Sequence, residues 1–328
     1  MLACWLAVLP RDDAELRSRL AHALGITLAL LTLASFGILL SRTIELNGGD
    51  WGTLWHDMRL ALTVTHFGHV WWWRVPALVV AWLAWVWSLR QRGMRQTWVM
   101  ALAIAAIALT RSETGHPADN GDFTAAVWVD WLHLLAAGAW VGSLFGMTLV
   151  VFPKLLRAGD TATASGAIVF QRLSTLSGIA LAVLVAAGIF NVTQQLGGAS
   201  SLWTTRYGVV LDVKLAIVLT MIAIGAHNRY VKLPRLLAHA GLPVRSGAVA
   251  GIRLLGLAQT SSGPGVADVL RSCARAVLIE SVLGLFAIGA TGVLLHAMPP
   301  ADAFKMQPMP SATRPDAGRP IAALTVRR

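Results

Sequence analysis

The stretch "VDWLHLLAAGAWVGSLFG", Val129 to Gly146, decides the fold class. Beyond His133 it carries no charge, and the apolar run continues to Phe152, so Val127–Phe152 is long enough to cross a bilayer, for which about 20 residues suffice. Its first turn nevertheless holds Asp130 and His133. Working outward, apolar runs of about 17–25 residues recur at His22–Leu40, Val75–Leu89, Thr97–Thr110, Ser174–Val192, Gly208–Ala226 and Ala274–His296. The second and third spans in chain order, Val75–Leu89 and Thr97–Thr110, are short and need flanking residues. Composition agrees: of 328 residues 56% are hydrophobic and 13% charged, with a mean hydropathy of +0.63. The expectation is an all-α, polytopic transmembrane helix bundle of about seven spans.

The opening "MLACWLAVLP", Met1–Pro10, has neither a basic leader nor a small-residue cleavage site, and it is too short to cross alone. It reads as the tail of a further span. Residues 1–21 are then a stub and a cytoplasmic loop, and 22–296 the transmembrane domain with a cytoplasmic loop at 229–273. Residues 297–328 form a periplasmic C-terminal tail.

The net charge of +11 is a topology signal and not a nucleic-acid-binding patch. With the N-terminus inside, sixteen Lys and Arg residues fall on cytoplasmic segments, seven of them from Arg229 to Arg275. The outer loops hold five, Arg42, Arg59, Arg74, Arg111 and Arg206, and gather acid at Glu45, Asp50, Asp57, Glu113, Asp119 and Asp122. The positive-inside rule therefore gives N-in, C-out. Cys4 and Cys273 form no CxxC pair, and no G-x-x-x-x-G-K-[ST] loop occurs, so neither a disulfide framework nor an ATP-driven pump is expected. No catalytic constellation is read, and the chain is not expected to be an enzyme.

On this topology six of nine histidines lie at or near the outer face. In "LALTVTHFGHVWWWR", Leu60–Arg74, Leu62, His66, His69 and Trp73 recur at helical spacing and suit an interfacial helix entering the next span. In "SETGHPADNGDF", Ser112–Phe123, Gly115 and Pro117 bracket His116 in a turn. Asp130 and His133, at i and i+3, share a face, so the carboxylate can accept a hydrogen bond from one ring nitrogen and leave the other for a ligand. An interfacial polar cap explains the same spacing equally well. Gly138, Gly142 and Gly146 form a seam for close helix approach.

The ordered series "THFGHVWWWR", "ETGHP", "DWLHLLAAGAWVGSLF", "TTRYGVVLDVKLAIVLTMIAIGAHNR" and "IESVLGLFAIGATGVLLHAMPP" resembles the CopD copper resistance family of bacterial inner-membrane proteins, from about Leu16 to Pro300. The resemblance implies about eight helical spans that handle copper, often beside a periplasmic copper-binding partner of the CopC type, with copper moved toward the cytoplasm. Its pattern falls on His66, Gly68, Trp71, Arg74, His116, Pro117, Asp130, His133, Trp140, Gly142, Tyr207, Gly208, Lys214, Asn228, Arg229 and Glu280. Two departures stand out: the first span is present only as Met1–Pro10, and Gly247–Asp268 is longer than the family loop and reads as a linker.

Residue chemistry fits copper as the cargo, as Cu(I) or Cu(II). Imidazole binds both oxidation states and thioether selects Cu(I). The candidate metal ligands are His66, His69, His116, His133, His296 and Met298, with Met306 and Met309 further along the tail. The pathway candidates are Asp130, Asn191, Lys214, Asn228 and Glu280. An ion pair of Glu280 with Arg229 or Arg172 is the simplest expectation for that buried acid, and a cytoplasmic exit ligand or proton relay is the sharper alternative. Two rival classes share these features: a haem-binding b-type cytochrome, which a Soret band would reveal, and a non-transporting copper sensor or scaffold, which would accumulate no copper.

Overall fold

The computed structural model describes residues 1–9, 13–90, 94–119, 121–159, 163–195, 200–244 and 266–295. Every regular element among them is helical. α1 is Ala14–Leu46, α2 Leu54–Val64, α3 His66–Arg90, α4 Met94–Ser112 and α5 Ala125–Gly146. α6 is Phe152–Ala158, α7 Thr163–Gln195, α8 Ser201–Thr204, α9 Arg206–His227, α10 Leu233–His239 and α11 Val266–Leu295. Each of the seven apolar runs is helical over its described residues, and all but the one in α5 are preceded in their helices by polar residues that apolarity does not register. Among the described residues six helices are long and apolar enough to cross a membrane. The other run, α4, is the return leg between α3 and α5 and packs along both.

Why the helices lie side by side is legible in their polar anchors. The indole N–H of Trp131 on α5 donates to the Ala105 carbonyl of α4 at 2.8 Å. Trp85 on α3 donates to Ala21 O of α1 at 2.8 Å, and Trp82 to Thr32 Oγ1 at 3.1 Å. A tryptophan thus fills interhelical space with its ring while its one donor finds an acceptor. The opposite faces stay apolar and uncovered: Leu102 is 69% exposed and Leu219 63%. In water that pattern would be a liability; around a bundle in lipid it is the required surface.

The main core is built by α1, α5, α7 and α11 around the N-terminal segment, whose Cys4, Trp5, Val8 and Leu9 are buried. The glycine seam accounts for that seat. A side chain at Gly142 would strike the Met1 nitrogen, and one at Gly146 would lie 3.1 Å from Cys4 Sγ, whereas Gly138 faces open space. The seam therefore receives the N-terminal segment with its two lower members only.

The chain also repeats a local device. Thr65 and Thr205 both sit in extended backbone between a short helix and a long one. Thr65 Oγ1 donates to Ala61 O and accepts from Gly68 N–H at 3.1 Å. Thr205 Oγ1 donates to Ser201 O and accepts from Gly208 N–H at 3.0 Å. Each hydroxyl caps the second helix while closing the first. Both glycines are required because the backbones touch: a Cβ would lie 2.6 Å from Leu62 C at Gly68 and 2.5 Å from Leu202 C at Gly208. The corner at Thr65 corrects the expectation of one continuous face through Leu62, His66, His69 and Trp73, since Leu62 belongs to α2 and the other three to α3.

A second repeated device is a widened π turn followed by proline. Met147–Val151 precedes Phe152-Pro153 and Asn228–Lys232 precedes Leu233-Pro234, while a further π turn, Cys4–Val8, ends in extended backbone at Leu9. Proline has no N–H and its ring crowds the carbonyl one turn back, so the preceding turn opens. Such turns recur at functional positions in helices.

Candidate functional site

The two ends of the bundle differ in their chemistry. At one end, His66 Nε2 at the start of α3 lies 3.3 Å from the Glu113 carbonyl and 3.4 Å from Asp122 Oδ1. His116 opens a single 3-10 turn, His116–Ala118, as its flanking Gly and Pro lead one to expect, and its Nδ1 lies 3.3 Å from Asp119 Oδ2. His69 is exposed on α3. Among the described residues no three His, Cys, Asp or Glu side chains gather as a metal-holding group. His296, Met298, Met306 and Met309, and nearly all of Gly247–Asp268, lie outside the described residues.

Glu113 was read from the sequence only as one of the acids in an outer loop. It is buried: Oε1 accepts the Phe123 N–H at 3.1 Å, and Oε2 has no partner. Ser112 was not read at all. Its hydroxyl donates to Asp130 Oδ2 at 2.8 Å, linking α4 to α5. Nothing in helical spacing within one segment reports a bond between two helices, so only the adjacency of "RSE" to the acidic loop hinted at it.

His133 lies one turn further into the bundle. Its ring lies close to the backbone of Leu184 on α7, and its Nδ1 is buried without a partner. The bond expected between Asp130 and this ring is not made, because the carboxylate turns across to Ser112. In the tautomer that carries its proton on Nε2, the buried Nδ1 has a free lone pair, as a metal-binding imidazole requires. Gly188 leaves room beside the ring: a Cβ there would lie 3.8 Å from His133 Cε1. Asn191 follows Leu184 and Gly188 on the same face of α7 by spacing. Lys214 on α9 is within electrostatic reach of both Asp130 and His133.

Beside that cluster, α3 and α4 bury a different charge. Arg74 is 2% exposed; its Nε donates to Thr110 Oγ1 at 2.8 Å, and one terminal nitrogen has no partner. Arg111 is its charged neighbour.

Toward the other end the expected ion pair of Glu280 is replaced by a neutral one. Asn228 Nδ2 donates to Glu280 Oε1 at 2.7 Å, and both residues are buried. Arg229 instead donates to Ser174 O at 2.8 Å, and Arg172 to Leu9 O at 3.4 Å. Both guanidiniums serve backbone carbonyls, which leaves the interior acid to an amide. This end is the basic one: Lys154 binds Asp13 and Glu15, and Lys232 donates to Ser272 O.

A bundle of apolar helices with polar and ionisable groups turned inward is a multi-pass membrane protein. The chain belongs to the copper resistance protein D family: the family model "Copper resistance protein D" matches residues 167–294, and "Copper resistance protein D-like, N-terminal domain" matches residues 1–125. That family is named for copper resistance. Copper resistance protein D of Pseudomonas syringae pv. tomato is 30% identical over 215 residues, covering 62% of this chain and 66% of its own. Copper transport protein CutJ of Bacillus subtilis (strain 168) is 27% identical over 65% of this chain and 40% of its own. Inner membrane protein YebZ of Escherichia coli (strain K12) is 29% identical over 72% of this chain and 79% of its own. The match thus spans less than two thirds of the first two relatives. No solved structure matches the chain.

Proposed function

We propose that the chain is an inner-membrane copper transport protein that captures copper ions at its histidine-bearing, periplasmic face and moves them toward the basic, cytoplasmic end, contributing to copper homeostasis and resistance. The observation that carries this reading is His133: a buried imidazole with a free Nδ1, close to α7 and set one turn inside the end where His66 and His116 stand. Imidazole nitrogens accept either oxidation state of copper, and the histidine-bearing end supplies acids that raise local cation concentration. His66, His69, His116 and the tail's His296 and Met298 serve as capture ligands, and a periplasmic CopC-type protein delivers the ion. Asp130, Asn191, Lys214, Asn228 and Glu280 line the way inward. The distribution of basic residues supports N-in, C-out.

The test is copper uptake into cells or proteoliposomes, normalised to inserted protein. His133→Ala is expected to abolish uptake. Asp130→Asn is expected to lower it by less than the roughly 10–100-fold that follows loss of a carboxylate holding a ligand, because Asp130 bonds Ser112 and not the ring. Normal uptake by His133→Ala would remove this residue from the path.

A further inference from the structure

Glu280 raises a question that copper binding at His133 does not answer. It sits on α11 facing α9, 3% exposed, and no ion pair reaches it among the described residues. An ionised carboxylate in that position is expensive when its hydrogen-bond donor is a neutral amide. The surroundings offer little charge. On α9's π turn, Lys232 acts on it electrostatically, yet the ammonium donates to Ser272 O at 3.0 Å. Arg229, on the same turn, is committed to Ser174 of α7. From the π turn after α5, Thr148 meets Ser281 at 3.0 Å, a neutral contact. Lys154 near α6 is paired with Asp13 and Glu15. Cys273, two turns away on α11, is a buried free thiol beside Lys232.

The amide supplies a second clue. Asn228 gives its Nδ2 to Glu280 Oε1, but its own Oδ1 is buried and has no donor. An amide oxygen left unpartnered in a core carries the full desolvation penalty. Glu280 Oε2 lies against the same stretch of α9, since a Cβ on Gly225 would be 3.8 Å from it. A carboxylate cannot donate to Oδ1; a carboxylic acid can. With a proton on Oε2 the two side chains form a reciprocal pair, N–H to Oε1 and O–H to Oδ1, that satisfies both residues at once.

We propose that Glu280 carries a proton in the resting bundle, as the acid half of an acid–amide pair with Asn228, and releases it to offset the charge of a cation passing through; the second clause rests on the copper-transport reading. On release the O–H bond breaks, its electron pair stays on Oε2, and the proton leaves to water at the basic end. One proton departs for each singly charged cation, such as Cu(I), that arrives, so the charge of the interior is unchanged by its passage.

The experiment is infrared difference spectroscopy on the full chain in lipid vesicles, alone and with Cu(I). At neutral pH the wild type should show a carboxylic-acid C=O band that Glu280→Gln removes. Asn228→Leu, which deletes both amide bonds, should shift it. Glu280→Asp should move the band without abolishing it, which separates loss of the proton site from loss of the fold. Adding Cu(I) should diminish the wild-type band. A wild-type spectrum that Glu280→Gln leaves unchanged overturns the proposal, and a band untouched while copper uptake proceeds overturns the exchange. A band assigned to Glu280 in a chain that takes up no copper upholds the acid–amide pair and overturns the transport reading instead.

Discussion

α3 and α9 enter the bundle through the same Thr-x-x-Gly corner, yet their halves bury opposite chemistry. The half made by α1, α3 and α4 places Arg74 inside, with one hydroxyl partner and a second guanidinium, Arg111, as its neighbour. The half made by α7, α9 and α11, with α5, places His133, Lys214, Asn228 and Glu280 inside. A scaffold can evidently be repeated while its interior is not. Arg74 has only a second cation as its charged neighbour, whereas Lys214 has Asp130 within electrostatic reach, so the first half repels a passing cation and serves as the buttress while the second offers the route. The apolar clusters support the division in part: the main one joins α5, α7 and α11 with the first half of α1, while Leu28 of α1 packs with α3 and α4 in a separate small one.

The comparison breaks most easily at the shared corner. Gly68→Ala and Gly208→Ala each push a methyl against backbone, which cannot yield as a side chain does. Both should therefore cost stability at or above the upper end of the about 1–3 kcal/mol typical of overpacking. Thermal unfolding in detergent should show the two losses to be similar. If Gly208→Ala is tolerated and Gly68→Ala is not, the corners are alike in outline only.

A smaller effect, of opposite sign, tests the interior of the first half. Arg74→Met keeps most of the volume and removes a buried charge that has no acid partner. Exchanging buried charge for well-packed apolar groups is often neutral or favourable, so a gain of about 1 kcal/mol is expected, with copper uptake per inserted molecule unchanged. Loss of uptake would place Arg74 on the route and end the division between buttress and path.

How much of this was legible in the sequence follows from the range of each interaction. The seven long helices were, because apolar length is a property of one segment. The turn at His116 was, because Gly115 and Pro117 act on their own neighbours. The break at Thr65 was written locally too, in the Thr-x-x-Gly that Thr205 repeats, but helical periodicity ran straight through it. Partners across helices were not legible: Ser112 takes Asp130 away from His133, Asn228 takes Glu280 in place of Arg229, and both exchanges depend on rotations of two helices that no single stretch encodes. The assembly of His133 with Lys214 was not foreseen for the same reason, although both residues had been marked individually as ionisable groups in spans.

The smallest effect concerns the joint between the halves. Two connectors that follow π turns, one leading to α1 and one leading toward α7, meet where Lys154 Nζ donates to Asp13 at 2.7 and 2.9 Å. Asp13 is also the N-cap of α1, accepting the Leu16 N–H at 3.0 Å. Partial burial of the Asp13 carboxyl opposes its ionisation, but the Leu16 N–H and Lys154 together outweigh that and hold it below the usual carboxylate range. A carboxyl depressed in the folded state stabilises fully above its unfolded value of about 3.9, and the contribution is lost as pH falls through the folded value. Asp13→Ala deletes cap and ion pair, and should cost about 1 kcal/mol at neutral pH. Asp13→Asn keeps an equally good cap and deletes only the pairing charge. With the pair partly exposed, that loss should be a few tenths of a kcal/mol, on the order of exposed ion pairs, and should shrink in high salt. Melting curves of the two variants across pH 3–7 would separate the terms: the Asn variant should converge on the wild type at the acid end, while the Ala variant should stay below both. Equal losses for the two substitutions would make the ion pair, and not the cap, the joint between the halves.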